Sequence, residues 1–186
     1  MRRRNLRACR CVIQTVVSAA IGNASVDREA TFDSLVGPLI EPAYKLAVVM
    51  LRDPHEAQDA VQEATVKAWR NLRGLRDEAA VRPWFLAIVA NHCRSVRRGR
   101  WWSVIRVDSP PHAQEAPGER EDLKLDLNRE LSELPSTDRT ALFLFFYLDL
   151  PLAEVARVLN ISPQAAKSRV HRAVARLRLG MVEVAP

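Results

Sequence analysis

Glycine is scarce in this chain: six among 186 residues, at Gly22, Gly37, Gly74, Gly99, Gly118 and Gly180. No two lie close enough to build a phosphate-cradling loop or a dinucleotide fingerprint, and no G-x-S-x-G elbow occurs. The three cysteines, Cys9, Cys11 and Cys93, lack the paired spacing of a zinc finger. An odd number cannot complete a disulfide framework, which suits a reducing compartment. The four histidines, His55, His92, His112 and His171, are scattered and read as ordinary surface or half-buried side chains. The expectation is a chain with no metal, no cofactor and no catalytic centre, and so not an enzyme.

Long apolar runs are also missing. The longest, Ala141 to Leu148, is well short of the roughly 18 residues of a membrane span. Arg2, Arg3 and Arg4 precede a mildly apolar stretch from Val12 to Ile21, in the manner of a secretory signal. Gln14, Thr15 and Ser18 interrupt that stretch and it holds no leucine, so residues 1–29 are expected to be a disordered N-terminal extension. No membrane insertion is expected, and the location expected is cytoplasmic.

The chain carries a net charge of +6, divided unevenly. Residues 1–30 are net +4, 31–100 net +3, 101–150 net −5 and 151–186 net +4. Two basic blocks flanking an acidic middle fit two nucleic-acid contacts joined by a segment that avoids phosphates. The middle contains Ser109-Pro110-Pro111-His112-Ala113-Gln114-Glu115-Ala116-Pro117-Gly118-Glu119-Arg120, whose prolines exclude a helix or central strand. The expected organisation is an extension over 1–29, a helical domain over 30–100, a linker over 101–124 and a second helical domain over 125–182.

Helical periodicity dominates and strand alternation is nearly absent, so the class expected is all-α, two small helical domains joined by the Pro-rich acidic linker. Asp53-Pro54-His55-Glu56 reads as an N-cap, a proline at the first helical position and a carboxylate at the third. Ala57, Ala60, Val61, Ala64, Ala68 and Trp69 then form one apolar face, with Gly74 just past the helix end. The opposite face carries Gln58, Asp59, Gln62 and Glu63. A further helix is expected from Phe32 to Leu51, with bends at Pro38 and Pro42, and another from about Pro83 to Arg98.

The C-terminal block has the pattern of a helix-turn-helix. Leu152, Val155, Ala156 and Leu159 give a short amphipathic helix, Asn160-Ile161 a break, and Ser162-Pro163 the cap and first position of a second helix. That helix buries Ala166, Val170, Ala173 or Val174, and Leu177. Its outward residues are Gln164, Lys167, Ser168, His171 and Arg172, the side-chain types that reach base edges and phosphates in a major groove. A solvated basic face is the plainer alternative. The first basic block is different: Arg94, Arg97, Arg98 and Arg100 follow Trp84 and Phe85 and precede Trp101-Trp102. Aromatics beside arginines can hold a single strand, although Trp84 and Phe85 at a helix start more often belong to a core.

Three stretches together resemble the bacterial RNA polymerase sigma factors of the extracytoplasmic-function (ECF) group. Asp59-Ala60-Val61-Gln62-Glu63-Ala64-Thr65-Val66-Lys67-Ala68-Trp69 is similar to the region-two helix that docks on the polymerase clamp. Pro83-Trp84-Phe85-Leu86-Ala87-Ile88-Val89-Ala90-Asn91 resembles the helix and turn that read the upstream melting element. Leu134-Pro135, Leu152-Ala153-Glu154-Val155-Ala156 and Ala166-Lys167-Ser168-Arg169-Val170-His171-Arg172-Ala173 resemble region four, which binds the minus-thirty-five element. The likeness covers roughly residues 30 to 180. It departs from the family pattern at Ser95, where an acidic residue is common, and at Lys167, where arginine is more usual.

The resemblance implies a factor that performs no bond chemistry, binds core RNA polymerase through the β′ clamp and β flap, and directs promoter recognition and melting. It implies Asp59, Gln62 and Glu63 as polymerase contacts. Trp84, Asn91, Arg94, Arg97 and Arg98 would meet the melted non-template strand, and Gln164, Lys167, Ser168, His171 and Arg172 the duplex. An anti-sigma factor is a further implied partner. The competing reading is a stand-alone helix-turn-helix regulator with an N-terminal helical interaction domain, which would bind a palindromic site unaided.

Overall fold

In the computed structural model the structure describes residues 24–72, 77–106 and 131–183, and among these no strand occurs. The chain divides into two compact units, 1–97 and 98–186. The first contains α1 (Ala24–Val36), a 3-10 turn (Gly37–Leu39), α2 (Ile40–Leu51) and α3 (Pro54–Asn71). Helix α4 (Val81–Arg106) begins in it and runs past the division. The second contains α5 (Ser136–Leu142), a π-helical turn (Phe143–Tyr147), α6 (Leu152–Leu159) and α7 (Pro163–Glu183).

The expected bend near Pro38 is the 3-10 turn that carries it. Proline cannot donate the backbone bond that a continuous helix needs, so the stretch from Phe32 to Leu51 becomes two helices. Pro42, in the first turn of α2 where that donor is not needed, is accommodated without a break. Residues Glu29–Leu51 are long and apolar enough by composition to cross a membrane. Here Phe32, Val36, Ala43, Leu46, Ala47, Met50 and Leu51 are instead buried in the protein core.

Helix α3 starts as its sequence requires. Asp53 is in extended conformation, and its Oδ1 accepts from the His55 amide at 2.8 Å and the Glu56 amide at 3.0 Å. Pro54 takes the first helical position. Ala57, Ala60, Val61, Ala64, Thr65 and Ala68 are buried, and α3 packs on α2. The Trp69 ring meets Phe32 of α1 edge-on, with centroids 5.2 Å apart. Gly74, expected just past the end of α3, lies outside the described residues.

Two boundaries differ from expectation. Helix α1 begins at Ala24, inside the stretch 1–29 expected to be an extension; residues 1–23 lie outside the described residues. Helix α4 continues to Arg106, so residues 101–106, expected in the linker, are helical. No proline intervenes before Pro110, and the single Gly99 costs a helix only about 1 kcal/mol. The Pro-rich stretch from Ser109 to Arg120 lies outside the described residues.

In the second unit α7 packs on both α5 and α6. Helix α6 ends at Asn160 in the left-handed region, φ 53°, a conformation asparagine tolerates better than most residues. The Ile161 amide donates back to the Ala156 carbonyl at 3.0 Å. Ser162 Oγ accepts from the Ala165 amide at 3.1 Å, capping α7. The sequence left open whether Ala173 or Val174 is inward: Ala173 is fully buried and Val174 half-buried. Buried Arg139 donates through Nη1 to the carbonyls of Leu131, Ser132 and Leu134 at 3.3 to 3.4 Å, satisfying the end of the helical turn before α5.

The cap on α3 can be tested alone. Asp53→Ala is expected to lower stability by about 1 kcal/mol, because two amides of the first turn lose their acceptor. Equilibrium urea unfolding followed by circular dichroism measures it, and an unchanged unfolding curve would show that the cap contributes nothing.

Candidate nucleic-acid interface

Helix α3 turns its polar face outward. Asp59 and Glu63 are exposed and Gln62 is half-buried, at positions i, i+4 and i+3 of one face. They stand opposite the buried alanines, so this polar face and the core share one helix.

On α4 the inward side chains are Phe85, Leu86, Val89, Ala90 and Cys93, all fully buried. Burial pushes the Cys93 thiol up to about 12, so it stays protonated at neutral pH and is no nucleophile. Phe85 belongs to the core and Trp84 is half-buried. Asn91, Arg97 and Arg98 are exposed, and Arg94 is half-buried with its Nε donating to the Ala90 carbonyl at 3.1 Å. Trp84, Asn91 and Arg98 recur every seventh residue, so they form one stripe that drifts by only about 20° per repeat. An amide at the middle of this stripe can pair with a base edge. No side-chain position is described for Arg100, Trp101 and Trp102.

The five outward residues of α7 do not act as one set. Gln164 and Lys167 are exposed and Ser168 half-buried, on the first two turns after the Ser162 cap. His171 turns toward an open groove of about 540 Å³ lined also by Phe145, Phe146, Leu152, Val174 and Arg178. Arg172 turns the other way and pairs with Asp138 of α5: Nη2 lies 3.3 Å from Oδ1 and Nε 3.4 Å from Oδ2. Arg172, expected as a free DNA contact, therefore carries an internal partner, although its side chain remains 56% exposed.

Two features escape sequence reasoning. Asp138 sits in the acidic middle block and looks like one more solvated carboxylate, yet its side chain is only 5% exposed. Phe146 and Tyr147, 63% and 55% exposed, belong to the longest apolar run of the sequence yet face outward. Within the run, Phe143–Tyr147 forms a π-helical turn. The Phe143 and Tyr147 rings stack at 4.6 Å, and Phe145 meets Phe146 edge-on at 4.9 Å.

Comparison with known proteins agrees with this arrangement. Sigma-70 region 2 matches residues 35–103 and Sigma-70 region 4 matches residues 124–177. The chain is 30% identical over 152 residues to the ECF RNA polymerase sigma factor SigM of Mycobacterium tuberculosis, covering 81% of this chain and 76% of that one. It is 28% identical over 153 residues to the ECF RNA polymerase sigma factor SigM of Bacillus subtilis, covering 80% and 93%. Its fold is similar to that of the sigma factor RpoE of Bartonella quintana, solved in complex with the anti-sigma factor NepR, with a TM-score of 0.72, 23% identity and coverage of 84% and 99%. CnrH, solved with the cytosolic domain of CnrY, gives a TM-score of 0.60 at 22% identity, covering 96% and 99%. With both sigma-70 regions matched in order on helical segments, and a relative at 30% identity over most of both chains, the chain belongs to the ECF RNA polymerase sigma factors.

Proposed function

We propose that this protein binds core RNA polymerase and directs it to a specialised set of promoters, which it recognises and helps to melt. The observation that carries this reading is the pair of matched regions, each with a polar or basic face on a helix whose other face is buried. As a factor that supplies an address and not a reaction, it needs no catalytic group. Among the described residues no cluster of metal-ligating side chains occurs. The proposed location is the cytoplasm, where the polymerase works. The region-2 match over residues 35–103 favours this reading over a stand-alone regulator.

The proposed organisation is region 2 over 30–100, extended by the rest of α4, and region 4 over 125–182. Asp59, Gln62 and Glu63 are the proposed contact with basic side chains of the β′ clamp. The aromatic groove beside His171 suits an apolar segment of the β flap. An anti-sigma factor is a further proposed partner, since both structural relatives were captured with proteins bound to them. Trp84, Asn91, Arg94, Arg97 and Arg98 are proposed to hold the non-template strand. Capturing an unstacked base costs a few kcal/mol, which a rigid helix with a correctly placed amide and adjacent arginines can offset. Gln164, Lys167, Ser168, His171 and Arg172 are proposed to face the minus-thirty-five duplex, the first three most directly.

Transcription from a promoter library by purified core polymerase, with and without this chain, tests the whole reading; no gain in promoter-specific initiation would overturn it. Three variants test its parts. Asp59→Ala, Gln62→Ala and Glu63→Ala made together are expected to weaken core binding in a pull-down while the circular dichroism spectrum stays unchanged. Exposed charges contribute little singly, so the triple change is the fair test. Asn91→Ala is expected to slow open-complex formation far more than closed-complex binding, and a pre-melted promoter should rescue it. Equal failure on pre-melted DNA would remove base capture as its role. Lys167→Ala is expected to cost about 1–3 kcal/mol of discrimination and relax preference at one upstream position. Holoenzyme selection of upstream sequences reads this directly, and an unchanged selected motif would exclude Lys167 from base reading.

A further inference from the structure

Asp138 is the third residue of α5 and Arg172 lies in the middle of α7, 34 residues later. The two helices pack together, and this ion pair crosses their contact. The exposure is lopsided: 5% for the Asp138 side chain against 56% for Arg172. Both carboxylate oxygens are engaged, Oδ2 by Nε and Oδ1 by Nη2. The Thr137 hydroxyl also donates to Oδ1, at 3.5 Å.

Two donors of a planar guanidinium held by two oxygens of one carboxylate fix the plane of the group as well as its place. The remaining nitrogen, Nη1, points away from the carboxylate by the geometry of the fork. A carboxylate taken out of water is an expensive way to gain stability, and apolar residues of similar volume commonly serve as well. Its presence beneath a basic helix calls for a role that an apolar residue could not fill.

We propose that Asp138 is a positioning residue for promoter reading: its buried carboxylate orients the Arg172 guanidinium so that the outer edge meets a DNA phosphate in one register. This rests on the reading of α7 as the promoter-reading helix. Asp138 thereby raises discrimination between promoters although it places a negative charge under a DNA-facing surface. Phosphate contacts carry no sequence information themselves, but they fix the docking register in which base contacts are made. A fixed guanidinium accepts one register of α7 in the groove, while a freely rotating one follows the phosphates in several.

The sign of the effect separates this from simple electrostatics. Asp138→Asn removes a negative charge, which by charge alone should tighten binding to every duplex. With positioning, holoenzyme carrying Asp138→Asn loses affinity for the promoter with the preferred upstream element, while affinity for the same promoter with that element scrambled holds or rises. The ratio of the two falls about tenfold. Arg172→Lys keeps the charge but cannot fork the carboxylate, and lowers the ratio to a similar extent. The double variant is no worse than either single one, because both remove the same contact.

The measurement is competitive binding of the two promoters by the full chain in holoenzyme, with thermal unfolding run in parallel. Should Asp138→Asn fail to fold, exposed Arg172→Lys carries the test. A ratio within about twofold of the parent in a folded variant overturns the proposal, as do additive losses in the double variant. Lys167→Ala is the control for the underlying reading. If it lowers the ratio and the Asp138 and Arg172 variants do not, positioning alone is refuted. If none of the three lowers it, α7 does not read the upstream element and both claims fall together.

Discussion

Small side chains on buried faces set how the functional helices are held. Helix α3 buries Ala57, Ala60, Ala64 and Ala68, and α7 buries Ala166 and Ala173. The distance between packed helices depends on the side chains at their contact, so alanine there permits close approach of α3 to α2 and of α7 to its neighbours. Close approach leaves room on the inner face of α3 for only one small polar side chain, Thr65, whose hydroxyl donates to the Val61 carbonyl at 2.7 Å. The polar inventory of each helix is thereby concentrated on the opposite face, Asp59, Gln62 and Glu63 on one and Gln164, Lys167 and Ser168 on the other. Enlarging any of these alanines would force side chains off their preferred rotamers, at about 1–3 kcal/mol, and would move the polar face with the helix that carries it.

Legibility in the sequence followed the range of the interaction. Asp53-Pro54, Ser162-Pro163 and the break at Asn160 rest on contacts between residues at most five apart, and caps of this kind leave a local residue pattern. The buried faces of α3 and α7 were equally readable, since they depend only on helical period. What could not be read is what depends on distant or cooperative packing. The pairing of Asp138 with Arg172 spans 34 residues, and nothing local distinguishes Asp138 from its acidic neighbours in the sequence. The π-helical turn at Phe143–Tyr147 changes the period itself, and no local residue pattern announces it. The ends of α1 and α4 escaped for another reason: composition shifts mark where a strong signal stops, not where the backbone stops being helical.

The region-4 surface divides along α7, and the division limits what that helix can do. His171 leans to the aromatic groove and Arg172 to Asp138, which leaves Gln164, Lys167 and Ser168 on the first two turns as the proposed base readers. Three side chains reach about as many base pairs, and each mismatch costs about 1–3 kcal/mol. Discrimination of that size from one helix is small against the excess of competing sites in a genome. A second selective step is therefore required of the same chain, and the α4 stripe of Trp84, Asn91 and Arg98 is where the proposed reading supplies it. That step comes only after the duplex has begun to open, so its selectivity multiplies that of the groove contact. On the proposed reading, a wrong site that survives the first test would still have to yield a base that fits beside Asn91. On this account weak groove reading is tolerable because promoter choice is completed by melting, and the division of α7 between DNA, groove and Asp138 costs the protein little specificity.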